Sequence, residues 1–154
     1  MNVGELCSRI VVLARRTTPL CDVAKLMREH HVGSVVVVEE GGQGRVPVGI
    51  VTDRDIVIEV LAMDLDCHTV TAGEVMGAEL VTVQEDESII NVLRLMRRSG
   101  IRRIPVLTAS GALAGIVTLD DVMEVVAEEF DHISKAISSE QSKEAHVRKS
   151  AVPL

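Results

Sequence analysis

Two residue pairs carry the most legible chemistry in this chain: Thr52 with Asp55 in "GIVTDRD" and Thr118 with Asp121 in "GIVTLDD". In each, an apolar run stops at a threonine and a carboxylate follows three residues later. That order predicts a buried strand turning into a helix, with the threonine as N-cap and the aspartate in the first turn, where the helix dipole favours negative charge. Seen once, the stretch would be a cap and nothing more. The same corner also turns backbone N–H groups outward, which suits an anion. An aspartate held there can accept hydrogen bonds from two vicinal hydroxyls, and a threonine can donate to a sugar or phosphate oxygen. One group can cap and bind at once. No general base or nucleophile constellation accompanies the pairs, so binding without catalysis is expected.

The corner is written twice because the chain is written twice. Shifted by 69, "VGELC" (3–7) falls on "AGEVM" (72–76), "KLMR" on "RLMR", and "GSVVV" (33–37) on "RRIPV" (102–106). Past that point the offset becomes 66, because the turn "EEGGQGRVPVG" is three residues longer than "TASGALAG". Surface turns absorb such insertions most easily. Each copy reads as a strand (Ile10–Leu13 or Leu80–Val83), a helix, a buried strand (Val35–Val38 or Ile104–Leu107), a third strand (Val48–Val51 or Leu113–Val117) and a closing helix. The turns "RTTP" and "EDES" predict helix starts, with Thr or Asp as cap and Pro19 in the first turn. The closing helices should face inward with Ile56, Val57, Val60 and Leu61, or Val122, Met123, Val125 and Val126. The expected class is α+β: two β-α-β-β-α units packed through their sheets, since neither unit of about 60 residues buries its sheet well alone. The expected domains are 1–68 and 69–133. A helix end fraying into a flexible polar tail follows over 134–154.

Composition bounds the rest. Apolar residues make up 47% of the chain, with one Phe and neither Trp nor Tyr, so the core is aliphatic. The lack of aromatics argues against a base-stacking platform, and a net charge of −7 argues against a nucleic-acid partner. Three scattered cysteines without CxxC spacing read as reduced thiols of a cytosolic protein, with neither a disulfide framework nor a metal site. His30 and His31 end a helix and lack a partner at ligand spacing. No apolar run is long enough for a membrane span, and the N-terminus lacks signal-peptide chemistry. The expected location is cytoplasmic.

With its doubled "GIVTxxD" and the "GIRRIPV" before the second strand, the sequence resembles the CBS domain from Val3 to about Phe130. The resemblance implies a tandem pair whose cleft takes adenosine-containing ligands: AMP, ADP or ATP, or else NAD or S-adenosylmethionine. It implies that Asp55 and Asp121 hold ribose hydroxyls and that Thr52 and Thr118 touch ribose or phosphate. It places Val12, Val32 and Gly33 at one adenine slot, and Val81 and Ile101–Pro105 at the other, with Pro105 closing that segment. Arg102 and Arg103, which replace the Gly33 and Ser34 of copy one, suit phosphate because the guanidinium fork donates in pairs. Arg54 is a further phosphate candidate, and Asp120 beside Asp121 could favour a phosphate-bound Mg²⁺. The implied protein is a non-enzymatic ligand sensor, a homodimer, signalling to a separate partner. The alternative is a dimerisation or docking module whose corners are only caps.

Overall fold

In the first repeat, β1 (Leu13–Ala14) runs parallel to β2 (Ser34–Gly41), which pairs antiparallel with β3 (Gly44–Thr52). In the second, β4 (Val83–Gln84), β5 (Arg103–Leu107) and β6 (Leu113–Thr118) repeat that order and those directions. A parallel neighbour requires a crossover, supplied by α2 (Leu20–His30) and α5 (Ile89–Ser99). The α+β architecture is the expected one. The computed structural model describes the backbone of residues 1–150 and the side chains of residues 1–148. They fall into two units, Met1–Thr118 and the part that begins at Leu119.

Burial explains the elements. Leu20, Val23 and Met27 of α2 are buried with Val35, Val37 and Val51 of the sheet, which gives α2 its apolar stripe and β2 its unbroken valine run. The first strands are shorter than their apolar runs, and Ile10 is 89% exposed. The helix starts also differ from expectation. Pro19 holds the N-cap of α2 without a side-chain bond, and Ser88 Oγ accepts the Asn91 N–H at 3.2 Å to cap α5. Thr18 is otherwise engaged, accepting the Arg15 N–H at 2.9 Å.

Both crossover helices end on a left-handed residue, at equivalent positions: His31 (φ 54°) and Gly100 (φ 65°). Glycine adopts that conformation without a Cβ penalty, whereas histidine does not. His31→Gly is expected to stabilise the fold by about 0.5–1 kcal/mol, since relief of the left-handed cost exceeds the added unfolded-state entropy. An unchanged or lower urea midpoint would contradict this.

The leading segments exchange places. α1 (Val3–Leu6) sits on the second repeat: the Val3 and Gly4 N–H groups donate to the carbonyls of Glu87 and Glu85, each at 2.8 Å. α4 (Ala72–Val75) sits on the first, where the Ala72 and Gly73 N–H groups donate to Thr18 and Arg16 at 2.8 and 2.9 Å. Both short helices carry a reciprocal cap, Asn2 with Glu5 and Thr71 with Glu74. The Thr71 backbone N–H holds the Glu74 carboxyl below the usual carboxylate range. The glycine of each "GIVT" makes the exchange possible. A Cβ at Gly49 would lie 2.3 Å from Met76 Sδ, and one at Gly115 would lie 2.5 Å from the Ser8 carbonyl oxygen.

Two expectations are corrected in this unit. Cys21 and Cys67 are joined as a disulfide, because the linker runs beside the start of α2: the Cys21 N–H donates to the Cys67 carbonyl at 3.1 Å, with the Cα atoms 5.0 Å apart. A sequence separation of 46 gave no sign of that neighbourhood. The first closing helix begins as α3 (Asp53–Ile56) and continues as a π-helical turn, Val57–Leu61. The wider turn rotates the face inward only at Val60, leaving Val57 and Leu61 52% and 70% exposed.

The second unit, taken by itself, is one helix, α6 (Leu119–Ser150). It does not fray at Ser134. The later stretch carries Lys, Ala, Glu, Gln and Arg among its serines, all of them good helix formers except serine. Ser138 and Ser142 hydroxyls donate back to carbonyls one turn earlier, each at 3.0 Å, and Lys135 pairs with Asp131 at 2.5 Å. Of the face expected to turn inward, Val122 is buried while Met123 and Val126 are exposed. The end of the expected tail, 151–154, lies outside the described residues.

Candidate functional site

The corner after β3 is built by its own backbone. Thr52 Oγ1 accepts the Asp55 N–H at 3.2 Å, and Asp55 Oδ2 accepts the Thr52 N–H at 2.8 Å, a reciprocal cap closed by aspartate. The Asp53 N–H donates to the Gly33 carbonyl at 3.1 Å, tying the corner to the segment that leads into β2. Asp53 Oδ1 accepts the Arg54 N–H at 2.9 Å. Ser34 stands opposite Thr52 in the first sheet, and Arg103 opposite Thr118 in the second, so the duplication puts an arginine where the first copy has a serine.

Across this corner lies a cavity of about 400 Å³, lined by Ile50, Thr52, Asp53 and Arg54 from the first repeat and by Gly100, Ile101, Arg102 and Arg103 from the second. Gly33 stands at its edge: a methyl there would meet Arg103 Nη2 at 3.0 Å and Asp53 Oδ2 at 3.2 Å. Three arginines and one aspartate therefore line a shared space, which favours an anion carrying more than one charge. The left-handed Gly100 turns the chain out of α5 and aims Ile101–Arg103 at the cleft.

Of the candidates, Thr52, Arg54, Ile101, Arg102 and Arg103 meet in this wall, and Gly33 borders it. Arg102 and Arg103 thus reach the first copy's corner, where sequence alone associated them with the second. Asp55 stands behind the wall, one oxygen committed to the cap. Val12 and Val32 pack on the first repeat's core, Pro105 is buried in β5, and Val81 is half-buried. Thr118 ends β6; Asp120 and Asp121 lie in the first turn of α6. Asp53 and Ile50 were missed by sequence reasoning, although both flank Thr52 in the quoted motif. Among the described residues, Cys21, Cys67 and His68 form a group whose ligand atoms lie within 4.8 Å of one another.

The model of the CBS domain matches residues 3–62 and 72–128, so the chain belongs to the CBS-domain family and carries two copies of the domain. An uncharacterised protein of Methanopyrus kandleri is 38% identical over 125 residues, or 81% of this chain and 62% of that one. The chain therefore spans less than two thirds of that relative. Hypoxic Response Protein I, solved with two coordinated zinc ions, is 34% identical with a TM-score of 0.70, over 80% of this chain and 98% of that structure. The CBS domain pair of protein MJ0100, in complex with 5′-methylthioadenosine and S-adenosyl-L-methionine, is 26% identical with a TM-score of 0.71, over 82% and 99%. Among the described residues no helix is long and apolar enough to cross a membrane.

Proposed function

We propose that the chain is a regulatory module that senses an adenosine-containing nucleotide in the cleft between its two repeats and signals to a separate protein, without chemistry of its own. The observation that carries this reading is the convergence of Arg54, Arg102 and Arg103 on the Thr52 corner from both repeats. A nucleotide of the AMP, ADP or ATP class fits that arrangement: the guanidinium forks take phosphate oxygens, Thr52 takes a ribose or phosphate oxygen, and the second oxygen of Asp55 takes a ribose hydroxyl. The adenosine-containing ligands of the MJ0100 pair support the same class. NAD and S-adenosylmethionine share the adenosine.

Titration calorimetry of the purified chain tests the reading. Arg102→Ala with Arg103→Ala should weaken AMP, ADP and ATP about ten- to a hundredfold while leaving adenosine little changed, because charged hydrogen bonds to the phosphates are worth about 1.5–3 kcal/mol. Asp55→Asn keeps the cap and should weaken nucleotide and adenosine alike. Absence of any nucleotide binding by the parent chain at millimolar concentration would sink the proposal.

A homodimer is proposed on a separate observation. Met123, Val126, Phe130, Ile133 and Ile137 recur along α6 at alternating spacings of three and four, and all are exposed. That spacing suits the seam of a two-stranded coiled coil. Phe130→Glu with Ile133→Glu should convert a dimer to a monomer by light scattering; a parent already monomeric overturns the assignment.

A further inference from the structure

We propose that Cys21, Cys67 and His68, with Asp66 behind the histidine, form a thiol-gated zinc site where the inter-repeat linker meets the start of α2. The site shares no residue with the nucleotide cleft, so either can fail alone. The backbone brings the four together: the Cys21 N–H donates to the Cys67 carbonyl at 3.1 Å, and the His68 N–H donates to Asp66 Oδ1 at 2.9 Å. Cys67 Sγ lies 4.0 Å from His68 Nδ1, which in turn lies 2.9 Å from Asp66 Oδ1.

Two sulfurs and an imidazole nitrogen are a three-ligand set that zinc takes in tetrahedral sites whose fourth position is left to solvent, with Zn–S about 2.3 Å and Zn–N about 2.0–2.1 Å. Bonds of those lengths place donor atoms about 3.3–3.8 Å apart. The ligand atoms of Cys21, Cys67 and His68 lie within 4.8 Å of one another, so side-chain rotation brings them to that spacing once the disulfide opens. One pair does not fit: Cys21 and Cys67 are bonded to each other, so both sulfurs cannot face an ion until the bond opens. His68 is exposed, which gives an ion a way in from solvent.

A dithiol reductant supplies two electrons and two protons; the Cys21–Cys67 S–S bond breaks, two S–H bonds form, and the reductant becomes its own disulfide. Zn²⁺ then displaces both thiol protons and forms two Zn–S bonds, while His68 ligates through Nε2 and keeps its Nδ1–H on Asp66. The joint is then tied by sulfur–sulfur bonding when oxidised and by metal when reduced. Cys7 takes no part, being buried beside Gly115.

The test uses the full chain, reduced with a phosphine under argon, freed of reductant, and titrated with Zn²⁺ against a chromophoric chelator. Co²⁺ is titrated in parallel to read thiolate-to-metal charge transfer. The reduced chain should take up one zinc with release of two protons, and the oxidised chain none; Cys7→Ser should match the parent. Cys21→Ser and Cys67→Ser should each diminish the cobalt–thiolate band, and Asp66→Asn should weaken zinc about 10- to 100-fold. Equal affinity in the reduced and oxidised parent, a comparison that needs no substitution, would overturn the site. Parent-like zinc affinity in the double serine variant would do the same.

Discussion

Gly115→Ala is expected to destabilise the protein by about 3–5 kcal/mol, and roughly 10 °C in Tm, although it adds a single methyl group. The new carbon would sit 2.5 Å from the Ser8 carbonyl oxygen and 2.8 Å from Cys7 Sγ. Backbone on that side cannot yield without losing the two hydrogen bonds between Ser8 and Ile116, at 2.9 and 3.0 Å. Two such bonds at about 1 kcal/mol each, plus about 1–3 kcal/mol for overpacking, give the estimate. Gly49→Ala at the equivalent position should cost less, because its obstruction is the Met76 side chain, whose thioether can turn aside. Urea denaturation of both variants measures the difference, and a loss below about 1 kcal/mol for Gly115→Ala would refute the close-approach account.

Reducing Cys21–Cys67, or replacing both residues by serine, is expected to remove roughly 3–4 kcal/mol. A closed loop of 46 residues gives that figure in the chain-entropy treatment. The experiment requires a chelator, since zinc would restore the tie. Because the effect acts on the unfolded chain, the denaturant m-value should rise as the midpoint falls. A midpoint indifferent to reductant would show that the crosslink does not constrain the unfolded ensemble.

What could be read from the sequence was the part governed by periodicity and repetition. The valine run of β2, the stripe Leu20–Val23–Met27 and the doubled corner each state their structure locally, and the offset of 69 residues predicts a common architecture. Relations across the chain were hidden. Nothing local says that α1 covers the other repeat: the recurrence of "VGELC" as "AGEVM" was legible, but the two short capped helices it forms were not. Gly49 and Gly115 are strand residues as expected, but their packing partners, Met76 and Ser8, lie 27 and 107 residues away in sequence. Arg102 and Arg103 were read as phosphate candidates of the second copy's corner, whereas they line a cavity with the first copy's corner, because its wall is drawn from both repeats. The disulfide was misread because odd and scattered cysteines carry no spacing signal.

The exchanged leading segments change what the linker is for. Two separate chains of one repeat each could trade the same segments as a swapped dimer does, and their assembly would then depend on how much of each is present. Joining them through residues 62–71 replaces that dependence with an effective concentration on the order of millimolar, fixed by geometry. A cleft that exists only where the two halves meet is thereby present at every dilution of the protein.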